Sequence, residues 1–382
     1  MNWKIIIVSI CSVYTVAFGQ IFQKDTSDLT FTGTRINPYE QAFDSTGKVT
    51  LSGYIDTYGA YYSDTVGSTG YAKFPTAAPT NKQFGLNMIQ VSAKYQSQQM
   101  RGVATLFYGD IPSCAWSSHL NLIQEANIGF RVYKKWWVDA GYFRTHIGLE
   151  SIQPRENITT SFATTTYFEP YFLSGAKLTL EQSEKWTFQA AVFNGFNSFV
   201  ETNHSKVFGL SAAYSNGKNW THTWSSVVCD ETPANNPIKH WRHYTNYIAV
   251  YKTKRVNLGI EANFGYQQHS QLADSSKTAF LFSAIAAFKY RLTPNWAMYG
   301  RGELFSDPNE ILTGPVQNAH HTLVGLDILG ATTGIEYKPI PNAFLRIESR
   351  VLRTKSWEQV FYTNNQPTNV RLEVIVSLGL WF

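Results

Sequence analysis

The sequence predicts an all-β fold, a transmembrane antiparallel β-barrel of about 16 strands with short periplasmic turns and longer extracellular loops. Three observations predict it. Apolar and polar residues alternate with a period of two through most of the chain. Short and long connections between those stretches alternate in turn. Aromatic residues make up 15% of the 382 residues, yet no apolar run after Gly19 approaches the roughly 20 residues that a membrane helix needs.

At the N-terminus, Lys4 supplies one positive charge, Ile5 to Val16 is mostly apolar, and Ala17, Phe18 and Gly19 place small residues at the spacing signal peptidase cuts. We expect a signal peptide over 1–19, cleaved before Gln20. An anchor is disfavoured because Ser9, Ser12 and Thr15 interrupt a run already too short to span. Export followed by a barrel implies the outer membrane of a Gram-negative bacterium. Residues 20–47 are polar and lack a clear period, which suggests a periplasmic N-terminal segment too short to form a plug domain.

The barrel is expected over 48–382. Candidate strands fall near 48–63, 83–97, 100–110, 121–133, 136–146, 171–181, 185–195 and 204–215, then near 218–229, 239–252, 255–268, 277–291, 295–306, 322–337, 342–354 and 369–382. The last is the clearest: Val370, Leu372, Val374, Val376, Leu378, Leu380 and Phe382 share one face, and Arg371, Glu373, Ser377 and Gly379 the other. A helix, with its period of 3.6, would mix the two sets. The stretch from Asn219 to Asp230 alternates poorly, and its faces stay unassigned. Six of the seven short turns are entered through a tyrosine (Tyr95, Tyr133, Tyr214, Tyr251, Tyr290, Tyr337), and Trp136, Trp186, Trp220, Trp296 and Phe344 follow soon after. Rings recurring at one end of successive hairpins suggest an interfacial aromatic girdle.

Energetics decide which face is which. A Lys or Arg facing lipid costs roughly 2–4 kcal/mol near the bilayer midplane. The charges on the last four strands, Arg301, Glu303, Glu336, Arg346, Glu348, Arg350, Arg371 and Glu373, must therefore face the lumen. They can pair across strands, as a salt-bridged lining, or select solutes by charge; both readings stand. The third long connection, with Glu150, Arg155, Glu156 and Asn157, is the candidate constriction loop. Terminal Phe382, after its alternating apolar face, has the form of a signal read by the barrel-assembly machinery.

Other chemistries find little support. Lys+Arg number 32 and Asp+Glu 27, scattered along the chain, so nucleic acid is not an expected partner. Outside the expected signal peptide only Cys114 and Cys229 remain; they suggest no zinc site and leave a disulfide open. No Gly-rich phosphate loop and no G-x-S-x-G occurs. His240 and His243, three apart in a strand-like stretch, fall on opposite faces. We expect no catalytic, metal or cofactor site, and no enzyme.

The run Tyr142 to Thr145, with Gly148 to Glu150, Asn157, Ser161, Pro170 and Gly175 to Lys177, resembles the OmpL-like putative β-barrel porin family. Phe193 to Gly195 and Ser52 to Asp56 resemble it too. The likeness covers 48–382 and is most specific over 139–196. It implies an outer-membrane, porin-like protein. Where family members often carry a basic residue soon after the loop serine, Phe162 and Ala163 follow Ser161 here, so no basic constriction is carried over.

About 16 strands enclose an aqueous channel, whereas about eight would be filled by side chains. The expected function is thus passive diffusion of small hydrophilic solutes or ions. A substrate-specific transporter and a mainly structural or adhesive barrel are the alternatives. Outer-membrane lipid, the assembly machinery and small hydrophilic solutes are the expected partners. Oligomeric state is not set by the sequence, and a homo-oligomer remains open.

Overall fold

The computed structural model describes residues 47–382 apart from 65–69, 75–76, 117–119, 201–204, 231 and 233–235. The expected signal peptide and almost all of the segment 20–47 lie outside the described residues.

Period-2 alternation produces the strands it predicts. They are β1 (Lys48–Tyr62), β2 (Gln83–Gln96), β3 (Met100–Tyr108), β4 (Ile123–Tyr133), β5 (Trp136–Arg144) and β6 (Phe172–Leu180). Next come β7 (Trp186–Phe193), β8 (Val207–Ser215), β9 (Trp220–Asp230), β10 (Trp241–Lys252), β11 (Val256–Gln267) and β12 (Ala279–Arg291). The series ends with β13 (Trp296–Asp307), β14 (Leu326–Tyr337), β15 (Ala343–Thr354) and β18 (Val370–Trp381). Each pairs antiparallel with its neighbours, and β18 closes on β1, giving a barrel of 16 strands. Closure removes every exposed strand edge, the only way a sheet can satisfy its backbone in lipid.

The short turns gather at one end. In the turn after β8, the Asn216 side-chain carbonyl accepts from the backbone N–H groups of Lys218, Asn219 and Trp220, while Gly217 takes φ +71°. That left-handed conformation is cheap for glycine. Around this end the rings pack at a tilt between adjacent hairpins: Trp186 with Tyr214 at 4.8 Å, Trp220 with Tyr251 at 4.9 Å, Trp296 with Tyr337 at 4.7 Å. The girdle is thus a set of cross-strand pairs.

Strand β9 explains its own poor pattern. Thr223, Ser225, Val227 and Cys229 point inward and are buried, and Trp220, Trp224 and Val228 point out. The outward side also carries His222 and Ser226, which bond Tyr247 and His243 of β10 at 2.8 Å each, and Trp224 Nε1 donates to Thr245 at 3.0 Å. Pairing across strands satisfies these groups without water. Cys114 and Cys229 are not bonded to each other.

The opposite end carries the long loops. Three short elements there carry no alternation signal: helix α1 (Asp110–Ala115), helix α2 (Thr164–Phe168) and the hairpin β16 (Phe361–Thr363) with β17 (Gln366–Thr368). Loop 145–171, between β5 and β6, is the third and runs inside the barrel.

Candidate functional site

All eight charges assigned to the lumenal face of the last four strands point inward, and none is more than 6% exposed. They meet one another first. Arg350 reaches Glu303 at 2.7 Å and Glu373 at 3.3 Å, Arg371 contacts Glu373 at 2.6 Å, and Arg346 Nε donates to Glu336 at 2.8 Å. Glu336 also takes Lys289 from β12 at 2.5 Å.

Glu348, Glu303, Arg346 and Arg301 also bond the third loop, whereas Arg371 donates to the carbonyls of Lys73 and Phe74 in the first. Glu348 accepts the backbone N–H of Thr160 at 2.6 Å and of Ser161 at 2.9 Å. Glu303 accepts from Thr164 N at 2.6 Å. Arg346 donates to the carbonyls of Pro154, Thr159 and Asn157. Arg301 donates to Glu150 at 2.7 Å, to the Thr159 hydroxyl at 2.7 Å and to the Ser161 carbonyl at 2.5 Å. Backbone N–H groups and carbonyls of an irregular loop are costly to bury unsatisfied, and here the wall charges satisfy them.

The loop's own predicted residues divide. Glu150, 3% exposed, turns into the loop and also accepts Ala163 N at 2.7 Å and the Thr166 hydroxyl at 2.9 Å. Asn157 is fully buried and holds the loop's shape through Ser151, with its side chain accepting Ser151 N and donating to Ser151 O, each at 2.7 Å. Arg155 and Glu156 are part-exposed. Arg155 lies over the Tyr54 ring at 5.0 Å, and its backbone N–H donates to the Tyr54 hydroxyl at 3.1 Å. Burial alone would push the Glu156 carboxyl up, but the Arg144 guanidinium bonded to it holds it down at about 2. At the loop's root, burial and the neighbouring Lys177 bring His146 down to about 3, so it stays neutral.

From its root the loop also reaches β10 to β12. Tyr244 donates to Glu169 at 2.5 Å, Glu261 accepts Leu149 N at 2.8 Å, and Thr165 shares a hydrogen bond with Ser283 at 2.6 Å. The loop therefore bonds chiefly to the wall made by β10 to β15 with β18, and it also meets Tyr54 of β1, Gln124 of β4 and Arg144 of β5.

The β2–β6 wall carries a second set of charges that sequence reasoning passed over. Lys94, Arg131 and Lys177 point into the lumen and are part-exposed, whereas Glu125 and Asp139 on the same wall are buried. Asp139 is committed to Arg101, which donates to it through Nε at 2.7 Å and Nη2 at 2.5 Å. Trp137 packs under Arg101 and Arg131, with their guanidinium carbons 4.4 and 4.7 Å from its ring centre. Alternation could have found these residues: Lys94 continues the inward series Gln90, Ser92. The solvent-accessible charge of this wall is basic.

Phe382 sits at the closing seam. Its backbone N–H donates to Gly53 O at 3.1 Å, and its carbonyl accepts Gly53 N at 2.9 Å. The ring occupies the space over Gly53, where an added Cβ would come within 2.4 Å of it.

Comparison with known proteins places this architecture. The family model described as putative beta-barrel porin-2, OmpL-like, matches residues 48–382. No curated protein matches the chain. Among solved structures, the outer membrane channel DcaP of Acinetobacter baumannii aligns with a TM-score of 0.57 at 9% identity, covering 89% of this chain and 99% of that one. OmpT of Vibrio cholerae aligns at 0.55 and 10% identity, over 90% and 99%. OprB of Pseudomonas putida aligns at 0.55 and 10%, over 88% and 94%. At such identities the likeness shows the fold alone.

Proposed function

The chain belongs to the putative beta-barrel porin-2, OmpL-like family of outer-membrane barrels, and from that premise we propose that it is a non-enzymatic porin passing small hydrophilic solutes by passive diffusion, anions more readily than cations. One observation carries the ion preference. The loop lies against the heavily charged wall of β10 to β15 with β18, where charges of both signs neutralise one another. The basic wall of β2 to β6 keeps Lys94, Arg131 and Lys177 part-exposed. A narrow passage walled by low-dielectric protein focuses the field of several like charges. On the loop, part-exposed Arg155 adds to the same sign, while part-exposed Glu156 is paired with Arg144.

The test is ion selectivity of the folded full chain in a planar bilayer. Replacing Lys94, Arg131 and Lys177 together by Gln should move the reversal potential towards cations. The shift should shrink as the screening length falls from about 10 Å at 0.1 M salt to about 3 Å at 1 M. Arg371→Gln, at a residue fully buried beside Glu373, should move it far less. A reversal potential that the triple variant leaves unchanged at low salt would refute the assignment, and a barrel without conductance would refute the pore.

A further inference from the structure

Charge is distributed unevenly between the two ends of the barrel. By sequence, the seven short turns hold 7 Lys and Arg against 2 Asp and Glu, whereas the eight much longer connections hold 7 against 10. Six of the seven short-turn cations fall in four consecutive turns. Lys134 and Lys135 lie between β4 and β5, Lys185 between β6 and β7, Lys218 between β8 and β9, and Lys254 and Arg255 between β10 and β11. All six are exposed. Of the two acids, Glu181 is bonded to Arg101 at 3.3 Å, and Glu184 stands exposed beside Lys185. The result is a basic arc along one side of the end that faces the periplasm in outer-membrane barrels.

Two properties define what fits. The first is depth. Lys134 directly follows Tyr133, Lys135 and Lys185 directly precede Trp136 and Trp186, and Lys218 stands two residues before Trp220. The Lys134 ammonium lies 5.0 Å from the Tyr133 ring centre, and Lys135 donates to the Gln182 carbonyl of the next turn at 2.7 Å. Both therefore stay at the rim, beside the girdle, and girdle rings sit at the level of lipid headgroups. The second is composition. The turns 134–135, 181–185, 216–219 and 253–255 contain no apolar side chain, so they offer nothing for the apolar core of a protein interface. Neighbouring turns are two strands apart, about 10 Å along the sheet. That matches the screening length of about 10 Å at 0.1 M salt, so the charges act together on an extended anionic surface.

We propose that this arc binds the headgroups of anionic phospholipids in the leaflet facing the periplasm, and so gathers them along one side of the barrel. The inference does not depend on the pore reading. The folded full chain is reconstituted in phosphatidylcholine, and electron spin resonance compares its association with spin-labelled phosphatidylglycerol and spin-labelled phosphatidylcholine. Phosphatidylglycerol should be preferred about fivefold, the worth of one lysine beside an anionic surface. The preference should vanish in 1 M NaCl, where the screening length is about 3 Å. Replacing all six residues of the arc by Gln should bring the ratio to unity. Lys82→Gln, Lys206→Gln and Lys277→Gln together, in the long loops, should leave it unchanged. Both variants are checked for the compact, unboiled gel band of a closed barrel. Equal association of the two lipids with the parent chain, a preference that survives 1 M NaCl, or equal loss in both variants would overturn the proposal. Loss of the preference in inorganic phosphate, at an ionic strength where NaCl preserves it, would assign the arc to free anions and overturn the lipid.

Discussion

Replacing Arg301 by Gln should release the third loop from the wall. Arg301 and Glu150 are each 3% exposed and joined at 2.7 Å. The substitution leaves the carboxylate of Glu150 in place with Ala163 N and the Thr166 hydroxyl as neutral donors. Removing one partner of a buried ion pair costs about 3–5 kcal/mol, chiefly because the other charge stays buried. Water in the lumen offers Glu150 a way out if the loop detaches, so that cost falls on the pinned state. At about 1.4 kcal/mol per factor of ten, the released population rises by about two to three and a half powers of ten. Single-channel recording should then show a second, larger conductance level and added current noise. Arg301→Gln combined with Glu150→Gln leaves no buried charge unpaired, and it should return the trace towards the parent's. A single variant with the parent's unitary conductance and noise, in a barrel still shown closed by its gel mobility, would refute the reasoning.

Two further outcomes are expected. Deleting Phe382 removes two backbone hydrogen bonds to Gly53 at the closing seam, and it should slow the appearance of the compact gel form more than it lowers the stability of the finished barrel; an unchanged assembly rate would count against a terminal signal. In the loop after β15, burial pushes the Glu358 carboxyl up to about 7, with nearby Asp327 adding to it. An acid whose folded pKa lies above its unfolded value stabilises most below about 4.5 and loses that contribution as pH rises through 7. Protease cleavage within 355–369 should therefore increase from pH 5 to pH 8, and Glu358→Gln should flatten the dependence.

The barrel was legible because lipid enforces its rule at nearly every strand position. A charge such as Arg350 has only one tolerable face, and one residue of slip would turn the whole strand inside out. Strand β9 resisted because His222 and Ser226 evade that rule by bonding to Tyr247 and His243 of its neighbour, a pairing that alternation within one strand cannot display. The candidate site was legible by half. Period-2 placed Arg301 and Glu348 inside, but it says only which side of the sheet a residue occupies, not what covers it. Their partners lie 151 residues away at Glu150 and 188 away at Thr160. The density of charge on the last strands drew attention to the wall that the loop occupies. Lys94, Arg131 and Lys177, spread thinly over β2 to β6, left a weaker mark although the same alternation contains them. Helices α1 and α2 are too short for a periodic signal and rest on tertiary contacts.

The third loop also constrains the order in which the chain can be completed. Its residues precede most of their partners: Thr160 meets Ser377 at 3.1 Å, a contact spanning 217 positions, on the same strand that seals against β1. Contacts so remote in sequence form late, after the entropy of closing a very long loop has been met. Until β13 and β15 arrive, the backbone of 154–165 lacks the arginines and glutamates that satisfy it. Once β18 has zipped to β1, the loop can reach them only through the open mouth. Seam closure and loop seating thus compete in time, and the sheet is expected to curl around a segment already lying in its hollow.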